Sequence, residues 1–244
     1  MKELLIIIPA YNEEKSIERV VNHVINDYPE YDYVVVNDGS KDDTSKICRK
    51  NNFNLIDLPV NLGLAGAFQT GLKYAYRQGY SYAIQYDADG QHKVEYIEKM
   101  LNEIKKGYDI VIGSRFVEQK KPHTMRMLGS RIISWSIRVT TGKRLKDPTS
   151  GMRMLNRSML KEFALNLNYG PEPDTISYLL REGISLSEVQ VEMDERLEGE
   201  SYLNMVRSVK YMIHMVVSIL VIQNFRKRDS RYIKEKSVEG MGNV

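Results

Sequence analysis

Leu4-Leu5-Ile6-Ile7-Ile8-Pro9-Ala10-Tyr11-Asn12-Glu13 decides the fold class. An unbroken apolar run is the mark of a strand buried on both faces, because a strand with one wet face alternates. Residues 13–28 then show helical spacing, with Ile17, Val20, Val21, Val24 and Ile25 on one side. The alternation repeats down the chain. Residues 33–36, 54–58, 82–85 and 110–112 have strand character, and 44–50, 65–77 and 94–105 have helix character. This order predicts βαβ units and a doubly wound, mostly parallel α/β sheet.

In such sheets ligands bind beyond the carboxyl ends of the strands. The polar motifs fall there: Pro9-Ala10-Tyr11-Asn12-Glu13, Asn37-Asp38-Gly39-Ser40, Asn61-Leu62-Gly63 and Asp87-Ala88-Asp89. Two aspartates in D-x-D spacing at a strand end can reach a hard divalent cation, Mg²⁺ or Mn²⁺, which favour oxygen ligands. Such a metal can neutralise a nucleotide diphosphate leaving group. A lone D-x-D is also an ordinary acidic turn; four polar loops on one rim say more than any one. His92 beside it reads as a structural histidine supporting the site rather than a ligand. Gly63, Gly66 and Gly71 lack the G-x-G-x-x-G dinucleotide pattern.

The chain has 244 residues, 42% hydrophobic and 27% charged, which is the composition of a soluble globular protein of one large or two small domains. Cys48 is the single cysteine, so disulfides within the chain and cysteine-based zinc sites are excluded and a reducing compartment is favoured. The first apolar run is too short for a signal peptide. Between Arg115 and Lys146 nine basic residues face one acid, Glu118. The cluster suits an anionic partner (phosphate, nucleic acid or lipid headgroup) or a solvated face. Residues 126–140 read as a helix with a basic stripe, Asp147-Pro148-Thr149-Ser150-Gly151 as a turn, 177–181 as a helix opening near Pro173, and 186–191 as an edge strand. Residues 204–224 read as a long helix. Its apolar part, 212–222, is far short of the ~20 residues needed to span a bilayer. Core packing suits it, and so does lying in a membrane interface with Arg226-Lys227-Arg228 at its end. Residues 229–244 are polar and expected to be disordered.

Taken in order, the four rim motifs, with Asp87-Ala88-Asp89-Gly90-Gln91-His92, resemble family 2 glycosyltransferases of the GT-A fold. Gly113-Ser114-Arg115-Phe116, Asp147-Pro148-Thr149-Ser150-Gly151-Met152-Arg153, Glu188-Val189 and Arg196-Leu197-Glu198-Gly199-Glu200-Ser201 narrow the likeness to polyprenyl-phosphate glycosyltransferases of the dolichol-phosphate mannose synthase type. It covers roughly residues 4–203.

The resemblance implies a metal-dependent, inverting transfer of a sugar from a nucleotide diphosphate donor, with uridine the expected base, to a polyprenyl phosphate. It implies a domain over 1–203, with a nucleotide-sugar half at 1–113 and an acceptor half at 114–203, followed by an amphipathic helix at 204–228. Pro9, Tyr11, Asn12, Glu13, Asn37, Asp38, Gly39, Ser40, Asn61, Gly63, Asp87, Ala88 and Asp89 would bind the donor. Asp87, Asp89 and Gln91 would hold Mg²⁺ or Mn²⁺. Ser114, Arg115, Arg126, Arg131, Ser150 and Arg153 would hold the acceptor phosphate, arginine because its planar fork binds two oxygens at once. Asp89, Asp147 and Asp174 would be catalytic. Asp174, fourteen residues before Glu188, matches the family's acidic residue near the acceptor, and would act as base if the acceptor were a sugar hydroxyl. That hydroxyl-acceptor enzyme of polysaccharide or lipid-linked glycan synthesis is one alternative; a silent nucleotide-sugar-binding subunit is another. The implied location is cytoplasmic, peripheral on the anionic inner face of the membrane, with a small membrane-spanning partner protein and no nucleic acid.

Three positions depart from the family pattern. Asn37 replaces the first of two aspartates, Tyr202 stands where a lysine often follows Gly-Glu-Ser, and the spanning helices of many relatives are missing.

Overall fold

The computed structural model describes residues 2–90, 92–122, 124–167, 170–193 and 205–225. Its strands are β1 (Lys2–Ala10), β2 (Asp32–Asn37), β3 (Leu55–Asp57), β4 (Tyr80–Gln85), β5 (Ile110–Ser114), β6 (Arg153–Asn156) and β7 (Leu186–Gln190). They form one sheet in the order β3-β2-β1-β4-β6-β5-β7. The helices are α1 (Ile17–Asp27), α2 (Thr44–Lys50), α3 (Gly63–Gln78), α4 (Tyr96–Ile104), α5 (Met125–Thr141), α6 (Arg157–Leu165), α7 (Pro173–Arg181) and α8 (Met205–Leu220).

β1 is buried from Leu4 to Ala10 because it lies between parallel neighbours and under helices on both faces. Leu5 and Ile7 enter one core with Phe68, Leu72 and Ala75 of α3, and Ile6 and Ile8 enter the other with Ile17, Val20, Val21 and Val24 of α1. Each such side chain contributes about 1.5–3 kcal/mol by leaving water. α3 lies directly on β1: a Cβ at Gly71 would stand 2.3 Å from Ile7 Cγ2. The strand order reverses between β2-β1 and β1-β4, so the crevice of a doubly wound sheet opens at the ends of β1 and β4.

Two differences from the sequence expectation matter for the site. α1 begins at Ile17, not at residue 13, because Asn12 adopts a left-handed φ of 57° and the Glu13 carbonyl closes a turn with Ser16 and Ile17 N–H. The sequence reading assigns no element to 152–172, yet the structure places β6 and α6 there. β6 inserts antiparallel between β4 and β5, pairing Met154 with Ile84 and Arg153 with Ile112. Running against its neighbours, it delivers the segment 147–152 to the rim where β4 and β5 end. α6 follows at once, capped by Asn156 Oδ1 accepting from Met159 N–H.

α8 packs on α5 and α7, with Met215 and Ile219 buried and Val209, Ile213 and Val217 exposed. Among the described residues no helix is long and apolar enough to cross a membrane. Gln91, the 196–201 motif, Tyr202, Arg226-Lys227-Arg228 and the 229–244 tail lie outside the described residues.

Candidate active site

The amino-terminal rim is a chain of hydrogen bonds linking three loops. Asn12 N–H donates to Ser40 Oγ, Lys41 N–H donates to Asn12 Oδ1, and Ser40 Oγ donates to Asn37 Oδ1 at 2.5 Å. Asn37 Nδ2 donates to Asp57 Oδ1 at 2.6 Å. Asn37 is 1% exposed and lies beneath the rim. This accounts for an amide where the pattern has an acid: a carboxylate cannot donate, and a second negative charge against Asp57 is repulsive. Glu13 N–H donates to Thr44 Oγ1, tying the first loop to α2.

Asp38, at the end of β2, is 2% exposed and accepts from Leu62 N–H at 2.7 Å. Burial raises its pKa above the usual carboxylate value, and N–H bonds from Leu62 and Gly63 oppose the rise. Asn61 Nδ2 donates to the Asp38 carbonyl and Asn61 Oδ1 accepts from Gly63 N–H. Gly39 must be glycine: its φ is +65°, and a Cβ would lie 2.8 Å from the Val60 carbonyl carbon. Pro9 is the last residue but one of β1, below this rim, and Tyr11 is half-buried on it.

Asp87 and Asp89 leave the end of β4. Gln85 Nε2 donates to Asp87 Oδ1 at 2.8 Å, and Ala88 and Asp89 are buried. His92 is buried and accepts at Nδ1 from Asp87 N–H at 3.0 Å, with Nε2 3.5 Å from Asp87 Oδ2. Its carbonyl accepts from the Tyr86 hydroxyl. Among the described residues no three His, Cys, Asp or Glu side chains converge as a metal cage. The rim offers hard carboxylate oxygens from two aspartates, a donor set that suits Mg²⁺ or Mn²⁺ when phosphates complete the shell.

The 147–151 turn meets this pair from across the sheet. A Cβ at Gly151 would stand 2.8 Å from Asp87 Oδ2 and 3.3 Å from Gln85 Nε2. Asp147, fully buried, is gripped by Arg115 through Nε at 2.7 Å, Nη2 at 2.9 Å and the backbone N–H at 3.2 Å. Glu188 holds the same turn by accepting from Lys146 and Asp147 N–H. Ser150 Oγ donates to the Gly113 carbonyl, and Ser114 is fully buried beneath Phe116 N–H. Arg153 is 6% exposed; Nη2 donates to the Pro148 carbonyl and Nε has no partner among the described residues. Arg131 donates to the Lys121 carbonyl. Nothing is described of the Arg126 side chain.

Asp174 lies in the first turn of α7 and is 9% exposed. Ser218 Oγ of α8 donates to Asp174 Oδ2 at 2.7 Å and Thr175 N–H donates to Oδ1. Tyr211 donates to Glu172 at 2.5 Å. Burial, then Glu172, raises the Tyr211 pKa; Arg153 opposes the rise and Asp174 adds to it.

Four contributors were given no role of their own by the sequence reading. Lys121 donates to Ser130 and Ser134 with its ammonium 5.5 Å from the Phe116 ring centre, and burial lowers its pKa. Glu188 is the clamp on the 147 turn, and Tyr211 with Ser218 ties α8 to α7. Glu188 carried a signal as part of a motif and Lys121 as one of the nine basic residues between Arg115 and Lys146; Tyr211 and Ser218 are tertiary contacts without a local pattern.

The family model described as glycosyl transferase family 2 matches residues 5–164. The polyprenol monophosphomannose synthase of Mycolicibacterium smegmatis is 28% identical over 213 residues, covering 82% of this chain and 80% of its own. The undecaprenyl-phosphate mannosyltransferase of Micrococcus luteus is 30% identical over 218 residues, covering 82% of this chain and 87% of its own. Among solved structures, the Mycobacterium tuberculosis glucosyl-3-phosphoglycerate synthase with Mn²⁺, uridine diphosphate and phosphoglyceric acid superposes with a TM-score of 0.65 at 17% identity, covering 93% of this chain and 80% of that one.

Proposed function

We propose, from the premise that this chain belongs to glycosyl transferase family 2 and is a glycosyltransferase, that it moves a sugar from a uridine diphosphate donor to a polyprenyl phosphate at a membrane surface. The observation that carries this reading is the Asp87-x-Asp89 pair at the strand-order reversal, touched by the Gly151 turn on its acceptor side. The mannosyltransferase relatives named for polyprenol and undecaprenyl phosphate favour the lipid acceptor.

The loops of Tyr11 to Glu13, Asp38 to Ser40 and Asn61 to Gly63 bind base and ribose. Their mutual hydrogen bonds hold them in place before the donor arrives, so little ordering entropy remains to be lost on binding. Asp87 and Asp89 are the residues that would hold Mg²⁺ or Mn²⁺, which when bound neutralises charge on the departing diphosphate. Gln85 and His92 fix Asp87 in orientation.

On the acceptor side, Arg115, Arg131 and Arg153 hold the phosphate, Arg126 assisting, while the buried Ser114 and Ser150 position them by tying the end of β5 to the Phe116 N–H and to the 147–151 turn. Asp147 holds the Arg115 fork, which sets the guanidinium plane that the phosphate meets. A phosphate oxygen attacks the anomeric carbon in line, on the face opposite the diphosphate, and the configuration inverts as that carbon–oxygen bond breaks. The attacking oxygen is already anionic, so no proton is removed and catalysis rests on positioning and charge neutralisation.

The competing hydroxyl-acceptor reading requires Asp174 as base. Its carboxylate is nine-tenths buried and already accepts from Ser218 and Thr175, which favours the phosphate acceptor. Asp174→Asn assayed on both acceptor types separates the two: retained transfer to polyprenyl phosphate is expected, and loss confined to a hydroxyl acceptor sinks the proposal. Asp89→Asn and excess chelator should each abolish nucleotide diphosphate release; full turnover under either removes the metal from the mechanism.

A further inference from the structure

Three cations converge on the 147–151 turn, and their partners differ in kind. Arg115 commits Nε and Nη2 to the buried Asp147 carboxylate, so that pair is neutral as a unit. Arg153 reaches the turn through the Pro148 carbonyl. Lys121 reaches it through hydroxyls. Its Nζ donates to Ser130 Oγ at 2.9 Å and to Ser134 Oγ at 3.3 Å, and Thr149 Oγ1 lies 3.4 Å from the same Ser130 Oγ. Thr149 Oγ1 is also 3.4 Å from Asp147 Oδ1, which closes a ring from Lys121 through Ser130, Thr149 and Asp147 to Arg115. Phe116 completes the ring, with the Arg115 guanidinium carbon 5.2 Å and the Lys121 ammonium 5.5 Å from its centroid.

Lys121 is half-buried, and Arg131 Nη2 fixes its backbone by donating to its carbonyl at 2.7 Å. Among the described residues its Nζ meets those two hydroxyls and no carboxylate within ion-pair distance. An ammonium has three N–H donors, so one is left to give. Hydroxyl dipoles replace part of the lost water but leave the charge itself unmatched. Burial lowers the Lys121 pKa; Asp147 and Glu188 oppose the fall, and Arg115 and Arg131 add to it. The remaining cation of this turn, Lys146, is exposed and donates to the Val117 carbonyl.

We propose that Lys121 is the specificity residue of the acceptor site, supplying the charge that selects a phosphate monoester dianion over a monoanionic phosphodiester; the inference rests on the lipid-acceptor reading and deepens it. Arg115 sets no such preference. Its Nε edge is occupied, and its other N–H groups bring hydrogen bonds from a charge that Asp147 has already balanced. A monoester above neutral pH carries close to two negative charges, because its second proton leaves with a pKa of about 6. The second charge gains most from a cation that is unmatched and was stripped of water when the chain folded. A diester has one charge and one anionic oxygen fewer, so it gains less.

The full chain is assayed with Mg²⁺, donor and a short, water-soluble polyprenyl phosphate, with the methyl diester of that phosphate as competing inhibitor. Lys121→Gln should raise KM for the monoester at least about tenfold, the size of one lost charge-assisted bond, with a smaller effect on kcat. The inhibition constant of the diester should rise less than about threefold, so the preference between the two collapses. Lys121→Arg keeps a charge and should keep the preference. Thermal melts check that each variant is folded. A second measurement needs no charge-removing variant: metal-free binding of both ligands, by calorimetry, up to about pH 10.4, the ordinary lysine value. The parent's preference should fall by half or more as Lys121 loses its proton, and that of Lys121→Arg should not. A Lys121→Gln enzyme with the parent's preference overturns the proposal, whether both constants stand still or rise together; in the second case Lys121 only staples its loop to α5. A parent preference that stays level to that pH also overturns it. Transfer to polyprenyl phosphate with either result leaves the acceptor reading standing. A parent that transfers to no polyprenyl phosphate sinks the acceptor reading and the role of Lys121 with it.

Discussion

Replacing Gly151 by alanine tests whether the turn before β6 touches the acidic pair. The new Cβ would stand 2.8 Å from Asp87 Oδ2, well inside a normal contact of about 3.4 Å, so the carboxylate must move roughly 0.6 Å. It has little room, because Gln85 Nε2 holds Oδ1 at 2.8 Å and would itself be 3.3 Å from the methyl. A 1 Å misplacement at a reacting centre can cost about a hundredfold, so a shift of roughly half that should lower kcat roughly tenfold, or about 1.4 kcal/mol of barrier. Stability should hardly change: Gly151 has no left-handed φ, and losing a glycine restrains the unfolded chain by about 0.4–1 kcal/mol. The assay is nucleotide diphosphate release across a Mg²⁺ titration, where Gly151→Ala should need more metal and turn over more slowly at saturation. Direct titration of Mg²⁺ binding in the presence of nucleotide diphosphate should show the same weakening, and adding Gly151→Ala to an Asp87→Ala background should weaken it no further, since no carboxylate is left to displace. Unchanged kcat and metal dependence in Gly151→Ala, or an equal loss on both backgrounds, refutes the contact as a functional one.

Other consequences follow from single contacts. Burial binds the Asp38 proton more tightly in the folded chain than in the unfolded one, so ionising it costs stability as pH rises. Asp38→Asn should raise Tm at neutral pH, lose that gain as pH falls to about 4, and weaken donor binding; an unchanged or lower Tm at neutral pH contradicts the burial argument. Asp147→Asn leaves the Arg115 fork without its carboxylate and should cost about 3 kcal/mol, seen in urea unfolding as a lower midpoint at constant slope. Gly129→Ala should unseat α8 from α5 and expose the Tyr211 and Ser218 contacts, giving faster proteolysis near residue 205; an unchanged digestion pattern means the helix is held elsewhere.

The central strands were legible because burial on both faces writes itself into a sequence as unbroken apolar runs, as in Leu4 to Ile8 and Ile110 to Ile112. Rim loops were legible because they follow such runs. β6 was not: Arg153-Met154-Leu155-Asn156 is too short to show a period, and its place between β4 and β5 is a tertiary choice. Without β6, nothing in the sequence says that Gly151 reaches Asp87. Asn37 looked like a substitution in a binding motif, and its bonds to Ser40 and Asp57 give it a structural reason. The apolar half of α8 read equally as core and as a membrane-interface helix because its apolar residues run around the helix, with Met215 and Ile219 inside and Ile213 and Val217 outside.

The central claim is the acceptor, and the product tests it most directly. Purified protein, Mg²⁺, a panel of uridine diphosphate sugars and a polyprenyl phosphate are incubated, and the lipid product is examined by mass spectrometry and by the anomeric configuration of its sugar. The account predicts a sugar joined to the lipid through one phosphate, with configuration inverted from the donor and formed in step with nucleotide diphosphate release. A sugar found only on a hydroxyl acceptor, or a phosphate-linked product with retained configuration, contradicts it.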